Sequence, residues 1–331
     1  RTTAWRATLY LGLASMVLLA ALLMIGTQAG FTFSGLKDFM ASGRELAHAE
    51  LIGALLIAGF GTLISLFPFH SWAAPAYASA PAPVAMMHAG VLKKFGLYGL
   101  FMFQPLMETG FLPWTNILLV LLVCNVIWVG YVTVNQKRLD LLLGNSSVMH
   151  MGYIFLAFAA LVVSGSAEAN PWALKGAALL MLAHGLTIAL LFLLCGQIEK
   201  QTGTLEINSL GGLSTRLPRM AFVFGLAGMA SIGLPGLANF PGEFMVFFSG
   251  FAGFSNGFGP VQIATILCLW GLVIGAVYML RAYRNIFQGD LSKASAYATG
   301  LQPSERAANY FLVIALAVFG FFPTLVLQFF S

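Results

Sequence analysis

Gly233-Leu234-Pro235-Gly236-Leu237-Ala238-Asn239-Phe240-Pro241-Gly242-Glu243 lies inside an apolar run over 219–253. One straight membrane helix needs ~20 residues, so this run is too long for a single span. Proline removes a backbone donor and breaks the helical ladder, so the run reads as two half-helices around an unwound middle. Carbonyls freed inside a bilayer need water or protein partners, and the break is therefore expected to line a polar cavity. Glu243, at the edge of that break, is placed to carry a proton; the bland alternative is a glutamate capping the second half-helix.

The rest of the chain agrees with a membrane reading. Apolar residues make up 59% of its 331 residues and charged residues 8%, where a soluble domain carries roughly 25%. Mean hydropathy is +0.88. Eleven acids and sixteen bases cannot coat a globule of this size. Cys124, Cys195 and Cys268 lie in apolar runs without CxxC or Cys/His spacing, so no metal or iron–sulfur site is expected here. The bases fall in short loops rather than on one face, which argues against nucleic acid as a partner.

Apolar windows place spans near 7–27, 49–69, 82–104, 113–134, 141–163, 172–197, 219–253, 260–284 and 308–330. The expected fold is all-α: a polytopic transmembrane helix bundle of about nine spans, forming one domain over 1–331. Alternating the loops across nine spans gathers Arg1, Arg6, Lys137, Arg138, Lys200, Arg216, Arg219, Arg281, Arg284, Lys293 and Arg306 on one side. Only Lys37 and Arg44 fall on the other. Basic loops face the cytoplasm, so the first side is assigned there and the C-terminus, 329–331, outside, in an inner (cytoplasmic) membrane. Pro- and Gly-rich breaks recur around 60–83 and 230–243, as expected of inverted repeats with sites at the breaks.

A charge at mid-bilayer costs at least ~2.5–3.5 kcal/mol, so each needs a partner, water or a purpose. Besides Glu243, Lys93 and Lys94 lie inside the third span. Adjacent helix residues point ~100° apart, so one of the two is expected to turn away and snorkel or pair elsewhere. His150 and His184 sit mid-span in consecutive helices and suit a relay, since imidazole titrates near neutrality and has two nitrogens. His70 and His88 flank Pro68, Pro75, Pro81 and Pro83, which interrupt the second and third spans. His48, Asp38 and Glu108 read as loop residues, and Lys175 as a terminal cation of the sixth span.

These residues also resemble a known family. Pro68-Phe69-His70-Ser71-Trp72, Ala89 through Gly99 around Lys93-Lys94, Ser146-Ser147-Val148-Met149-His150-Met151-Gly152, Ala183-His184-Gly185 and Gly233 through Phe244 occur in order. Together they look like the antiporter-like membrane subunits of respiratory complex I, most closely the chain-M type. The resemblance implies a proton relay through Lys94, His150, His184 and Glu243, with Lys93 an extra neighbour and His70 a lesser candidate. It also implies that FMN, iron–sulfur clusters and quinone sit in partner subunits and none in this chain. The partners so implied are other membrane subunits, the lipid bilayer and protons.

Departures from the family pattern accompany the match. The chain matches about span six onward of a fourteen-span pattern, so the span bearing the family's first functional glutamate lies outside it. Leu63 stands where a lysine is usual, seven residues before His70. Ala74-Pro75-Ala76-Tyr77 replaces Pro-Asp-Ala-His, and Arg138 and Asp140 occupy the stretch before the serine–histidine motif. Three functions follow as alternatives: a proton-translocating subunit of a redox-driven NADH:quinone oxidoreductase, a subunit of a sodium/proton antiporter or of a hydrogenase-linked or carbon-uptake complex, and a non-pumping structural subunit.

Overall fold

The computed structural model describes residues 2–252 and 257–330. Arg1, Ser331 and the end of the expected 219–253 span lie outside them. Helices run in the order α1 (Thr2–Ala29), α2 (Phe33–Ala41), α3 (Ala49–Ile64), α4 (Ala73–Ser79), α5 (Ala82–Met87), α6 (Lys93–Met102) and α7 (Thr115–Val134). Then follow α8 (Leu139–Ser164), α9 (Pro171–Thr202), α10 (Pro218–Ser231), α11 (Asn239–Ser249), α12 (Pro260–Phe287), α13 (Pro303–Phe321) and α14 (Thr324–Leu327). Among the described residues, extended pairing is limited to one isolated bridge between Arg138 and Glu206.

Among the described residues six segments are long and apolar enough to cross a membrane: Thr2–Ala29, Gln104–Val134, Leu139–Ser164, Pro171–Thr202, Pro260–Phe287 and Pro303–Phe321. The chain is a multi-pass helical membrane protein. The remaining three of the nine expected spans fall on the 16-residue helix α3, on the segmented stretch α5–α6, and on the pair α10 and α11, with α4 between the first two. Proline opens α9, α10, α12 and α13 at the first helical turn, where its missing N–H costs nothing. Gly165 and Gly203, at φ +75° and +72°, close α8 and α9 in the left-handed conformation that ends helices without a Cβ penalty.

Helix α8 is the central post: 94% of its most apolar window is buried, against 17% for α1 and 11% for α13. A helix apolar on all sides belongs inside a bundle, and α8 packs against α7, α9, α4, α11 and α12. The outer helices instead present Trp5, Leu9, Leu13, Phe311, Ile314 and Phe321 outward, the surface a bilayer covers.

The loops sort to two ends. At one, Ile207 N–H donates to the Lys137 carbonyl, Arg281 donates to the Gln136 carbonyl, Gly212 N–H reaches the Gln288 carbonyl, and Lys200 pairs with Glu305 at 2.8 Å. At the other, Asn170 donates to the Ser249 carbonyl and Trp114 to the Glu50 carbonyl, and Glu108 lies beside Gly165. Lys137, Arg138, Lys200, Arg281 and the stretch around Glu305–Arg306 thus share one end.

Several boundaries differ from the sequence reading. The expected span 308–330 is divided: α13 runs over Pro303–Phe321, because Glu305 Oε2 accepts from the Gln302 N–H and starts it early, and it stops before Pro323, after which the short α14 follows. The third span is not continuous: α5 passes through a π turn, His88–Leu92, into α6. Helix α3 ends at Ile64, with Ser65 at φ +72°. Asp38 lies on α2 and Glu108 in a π turn, not in loops, and His48 is the residue just before α3.

Candidate functional site

All five principal residues lie inside the bundle: Lys93 is 0% exposed, Lys94 9%, His150 2%, His184 2% and Glu243 3%. Their neighbours arrange four of them in a row. Lys94 Nζ donates to the Ala89 carbonyl. Ala89 belongs to the π turn, and wide turns of this kind are frequent at functional sites. The next residue, Gly90, meets α9 at Gly185: a Cβ on Gly185 would stand 2.7 Å from the Gly90 carbonyl oxygen. Only a pair of glycines permits this approach, which brings the π turn alongside His184.

His184 Nε2 lies 3.2 Å from Ser147 Oγ on α8. Its ring stacks on that of His150, with centroids 5.1 Å apart and planes at 24°. Lys93 and Lys94 are within Coulombic reach of both rings. His150 Nδ1 faces the Ser146 carbonyl at 2.8 Å and Nε2 the Ser231 carbonyl at 3.0 Å. A neutral imidazole donates to one acceptor at a time and an imidazolium to both, so this environment accommodates a ring that gains and loses a proton.

Ser231 is the last residue of α10, so His150 reaches the very edge of the helix break. Two residues on, Gly233 takes φ +80°, and the Glu243 carboxylate fills the place of its missing side chain. A Cβ built there would be 2.0 Å from Glu243 Oε2. Glu243 Oε1 makes no hydrogen bond among the described residues. The break is therefore the unwound segment expected between half-helices, and Glu243 lies on the first turns of the second one with its carboxylate turned back onto the break. Glycines again set the packing: Gly176 and Gly242 let α9 and α11 touch backbone to backbone, with Cβ positions 2.8 Å from Met245 Cβ and Leu180 N respectively.

The two lysines diverge, as their angular separation requires, but neither snorkels. Lys93 points to Tyr77, with Nζ 5.8 Å from the ring centre, and remains fully buried. His70 lies apart from the row: it stacks on Phe67 at 5.3 Å in the stretch between α3 and α4. Leu63 packs against α6 at Gly96.

Sequence reasoning missed several polar residues. Tyr153 is fully buried, edge-on to His150 at 5.5 Å and to Phe247 of α11 at 5.2 Å. Its hydroxyl occupies the space left by Gly271 and lies within Coulombic reach of Glu243. Ser146 and Tyr278 share a hydrogen bond of 2.7 Å, and Thr187 lies 2.8 Å from Asn239 Oδ1 at the break. Ser146, His150 and Tyr153 fall at helical spacings of four and three, a signal in the sequence that marks one polar stripe on α8. Among the described residues no group of three or more His, Cys, Asp or Glu could hold a metal ion, and the three cysteines are free.

A multi-pass helical bundle with a buried lysine, two stacked histidines and a glutamate meeting at a helix break is the architecture of an antiporter-like membrane subunit. The chain belongs to the family described as "NADH:quinone oxidoreductase/Mrp antiporter, TM", whose model matches residues 2–268. It is 34% identical over 329 residues to NAD(P)H-quinone oxidoreductase chain 4 1 of Synechococcus elongatus, covering 97% of this chain and 59% of that protein. A chain of respiratory complex I from Thermus thermophilus superposes with a TM-score of 0.87 at 26% identity, over 99% of this chain and 67% of that one. The fold is also that of a chain in the Mrp complex from Dietzia sp., with a TM-score of 0.83 at 18% identity, covering 99% and 66%. The chain spans about six-tenths of the length of the curated relatives it matches.

Proposed function

We propose that this chain translocates protons as a membrane subunit of a redox-driven NADH:quinone oxidoreductase of the complex I type. The supporting observation is the stacked His150–His184 pair, held between the Lys94 turn on one side and the Glu243 break on the other. In this reading a proton on Lys94 passes to His184, then through His150 to Glu243, and leaves from the break. The bundle crosses the membrane nine times, with α3, α5–α6 and the α10–α11 pair as the three interrupted crossings. The end carrying Lys137, Arg138, Lys200 and Arg281 faces the cytoplasm, because basic loops are retained there, and 329–331 lie outside. The breaks near Pro68 and Pro235 belong to two inverted repeats. The chain holds no redox group; flavin, iron–sulfur clusters and quinone belong to partner subunits, and the drive reaches this chain as charge rearrangement.

Lys94→Met tests the reading. In vesicles carrying the assembled complex, proton uptake per electron is expected to fall on the order of tenfold, the effect being limited by the amine of Lys93 next door. Wild-type uptake in an assembled Lys94→Met complex would remove Lys94 from the path.

A second reading rests on the fold shared with the Mrp chain: a sodium/proton antiporter subunit. It requires a sodium-dependent pH change in vesicles given no electron donor. Purification in mild detergent separates the two, since a redox pump brings flavin and iron–sulfur subunits with it and an antiporter only other membrane chains.

A further inference from the structure

The Glu243 break is flanked by a helix that the relay does not use. The side-chain position of Gly233 is filled by the Glu243 carboxylate; past it, Leu234 and Pro235 turn outward and Gly236 takes φ +92°. There the neighbour is the last turn of α13. A Cβ on Gly320 would stand 2.6 Å from Leu237 Cα and closer still to the Gly236 carbonyl oxygen. The Phe321 ring lies 3.3 Å from the vacant Cβ position of Gly236. Backbone rests on backbone here, an approach that small residues allow and larger ones prevent. The helix ends at once, at Phe321.

The two ends of α13 are held differently. Near its start, Asn309 and Gln197 of α9 exchange two amide hydrogen bonds of 2.9 and 3.1 Å, both side chains buried, and Lys200 pairs with Glu305 at 2.8 Å. From Glu305 to Gly320 the helix rises about 22 Å. Along it Asn309 and Leu316 are buried, and every residue from Phe311 to Phe321 is apolar. Apolar helices in lipid gain no hydrophobic drive from meeting, so the end at the break is kept in place by close packing alone. A helix tied by polar pairs at one end and by contact at the other can swing on its anchor. Unwound backbone at membrane depth is either covered by protein or open to water. At Gly236 and Leu237 the cover is α13.

We propose that the last turn of α13 is a lid on the proton exit at the Glu243 break, with Gly320 as the residue that lets it close. The inference rests on the relay reading above and adds a gate to its last member. When the lid is closed, Gly320 lies on the Gly236–Leu237 peptide and Phe321 over Gly236, so the unwound backbone is covered on this flank. When it opens, the end of α13 swings about the Gln197–Asn309 anchor and water reaches the freed backbone. The proton on Glu243 then has a way out. Closure between turnovers keeps outside protons from running back through the break to His150.

The assembled complex in native membrane vesicles tests this with Gly320→Ala, Phe321→Ala and Glu243→Gln. Gly320→Ala keeps the backbones apart, so the lid stands ajar. The decay of an imposed pH difference, with no electron donor present, is expected to speed up about threefold, and net uptake per electron to fall about twofold while donor oxidation continues. Phe321→Ala removes the ring without adding bulk and is expected to speed the decay about twofold. Adding Glu243→Gln to Gly320→Ala is expected to restore the wild-type decay, because the leak runs through that carboxylate. Wild-type decay in assembled Gly320→Ala overturns the lid; if that variant fails to assemble, wild-type decay in Phe321→Ala does so. A leak that survives Glu243→Gln runs elsewhere and also overturns it. If both α13 variants are wild type while Glu243→Gln lowers uptake, the lid falls and the relay stands; full uptake by Glu243→Gln instead condemns the relay itself.

Discussion

Glu243→Gln is expected to lower proton uptake per electron by at least about a hundredfold while leaving the complex assembled. A positioned group that gives and takes a proton contributes roughly 10²–10⁴-fold, and among the described residues the other buried carboxylate, Asp140, pairs with Arg138 away from the break. The amide matches the carboxylate in size, so the packing over Gly233 survives, but it cannot release a proton to the outer side. Gly233→Ala provides a check that changes no titratable group. Its Cβ would meet Glu243 Oε2 at 2.0 Å, and at φ +80° an L side chain adds about 1–2 kcal/mol of backbone strain. The carboxylate must then leave the break, and uptake is expected to fall in the same direction. Both are read by dye-monitored acidification of vesicles driven by the electron donor. Full uptake by Glu243→Gln would falsify the role given to this residue.

The second large effect is on stability. Asn125 of α7 is fully buried and holds the end of α3: its Oδ1 accepts from the Phe67 N–H at 2.5 Å, and its Nδ2 reaches the Ser65 and Val148 carbonyls, each at 3.1 Å. Past Ile64 the backbone is no longer helical, and inside a membrane its groups have no water to turn to. Asn125→Leu leaves the Phe67 donor and the Ser65 acceptor unpaired, at about 1–3 kcal/mol each. A loss of about 2–5 kcal/mol is expected, visible as a thermal midpoint several degrees lower in mild detergent. An unchanged midpoint would show that this end of α3 is held by packing alone.

Sequence and structure agree best where hydropathy acts over a long window. Residues 139–164, 171–202 and 260–287 are apolar over lengths that only a buried or membrane helix tolerates, and each forms a single helix. The break at 232–238 was equally legible, because Pro235, Gly236 and Pro241 each act on their own local backbone. The π turn at His88–Leu92 was not. It changes hydrogen-bond register without a proline or any loss of hydropathy, so 82–104 read as one span. The start of α13 was misplaced for the opposite reason: Ser304, Glu305 and Arg306 are polar, yet the Gln302–Glu305 cap makes them helical.

The chemistry divides along the same line. Composition and the positions of Lys94, His150, His184 and Glu243 predicted that ionisable groups lie within apolar helices, since transfer free energy depends on residue type and window alone. Tertiary structure decided which of them meet. His150 and His184 are neighbours because α8 and α9 pack side by side, Gly185 of α9 lets the π turn approach His184, and Glu243 faces the row because Gly233 has no side chain. Tyr153 shares a helical stripe with Ser146 and His150, and Tyr77 stands at a departure from the family motif, but neither position shows in the sequence that its hydroxyl is unpaired. Their unpaired hydroxyls arise only from what surrounds them, and that depends on contacts between helices far apart in the chain.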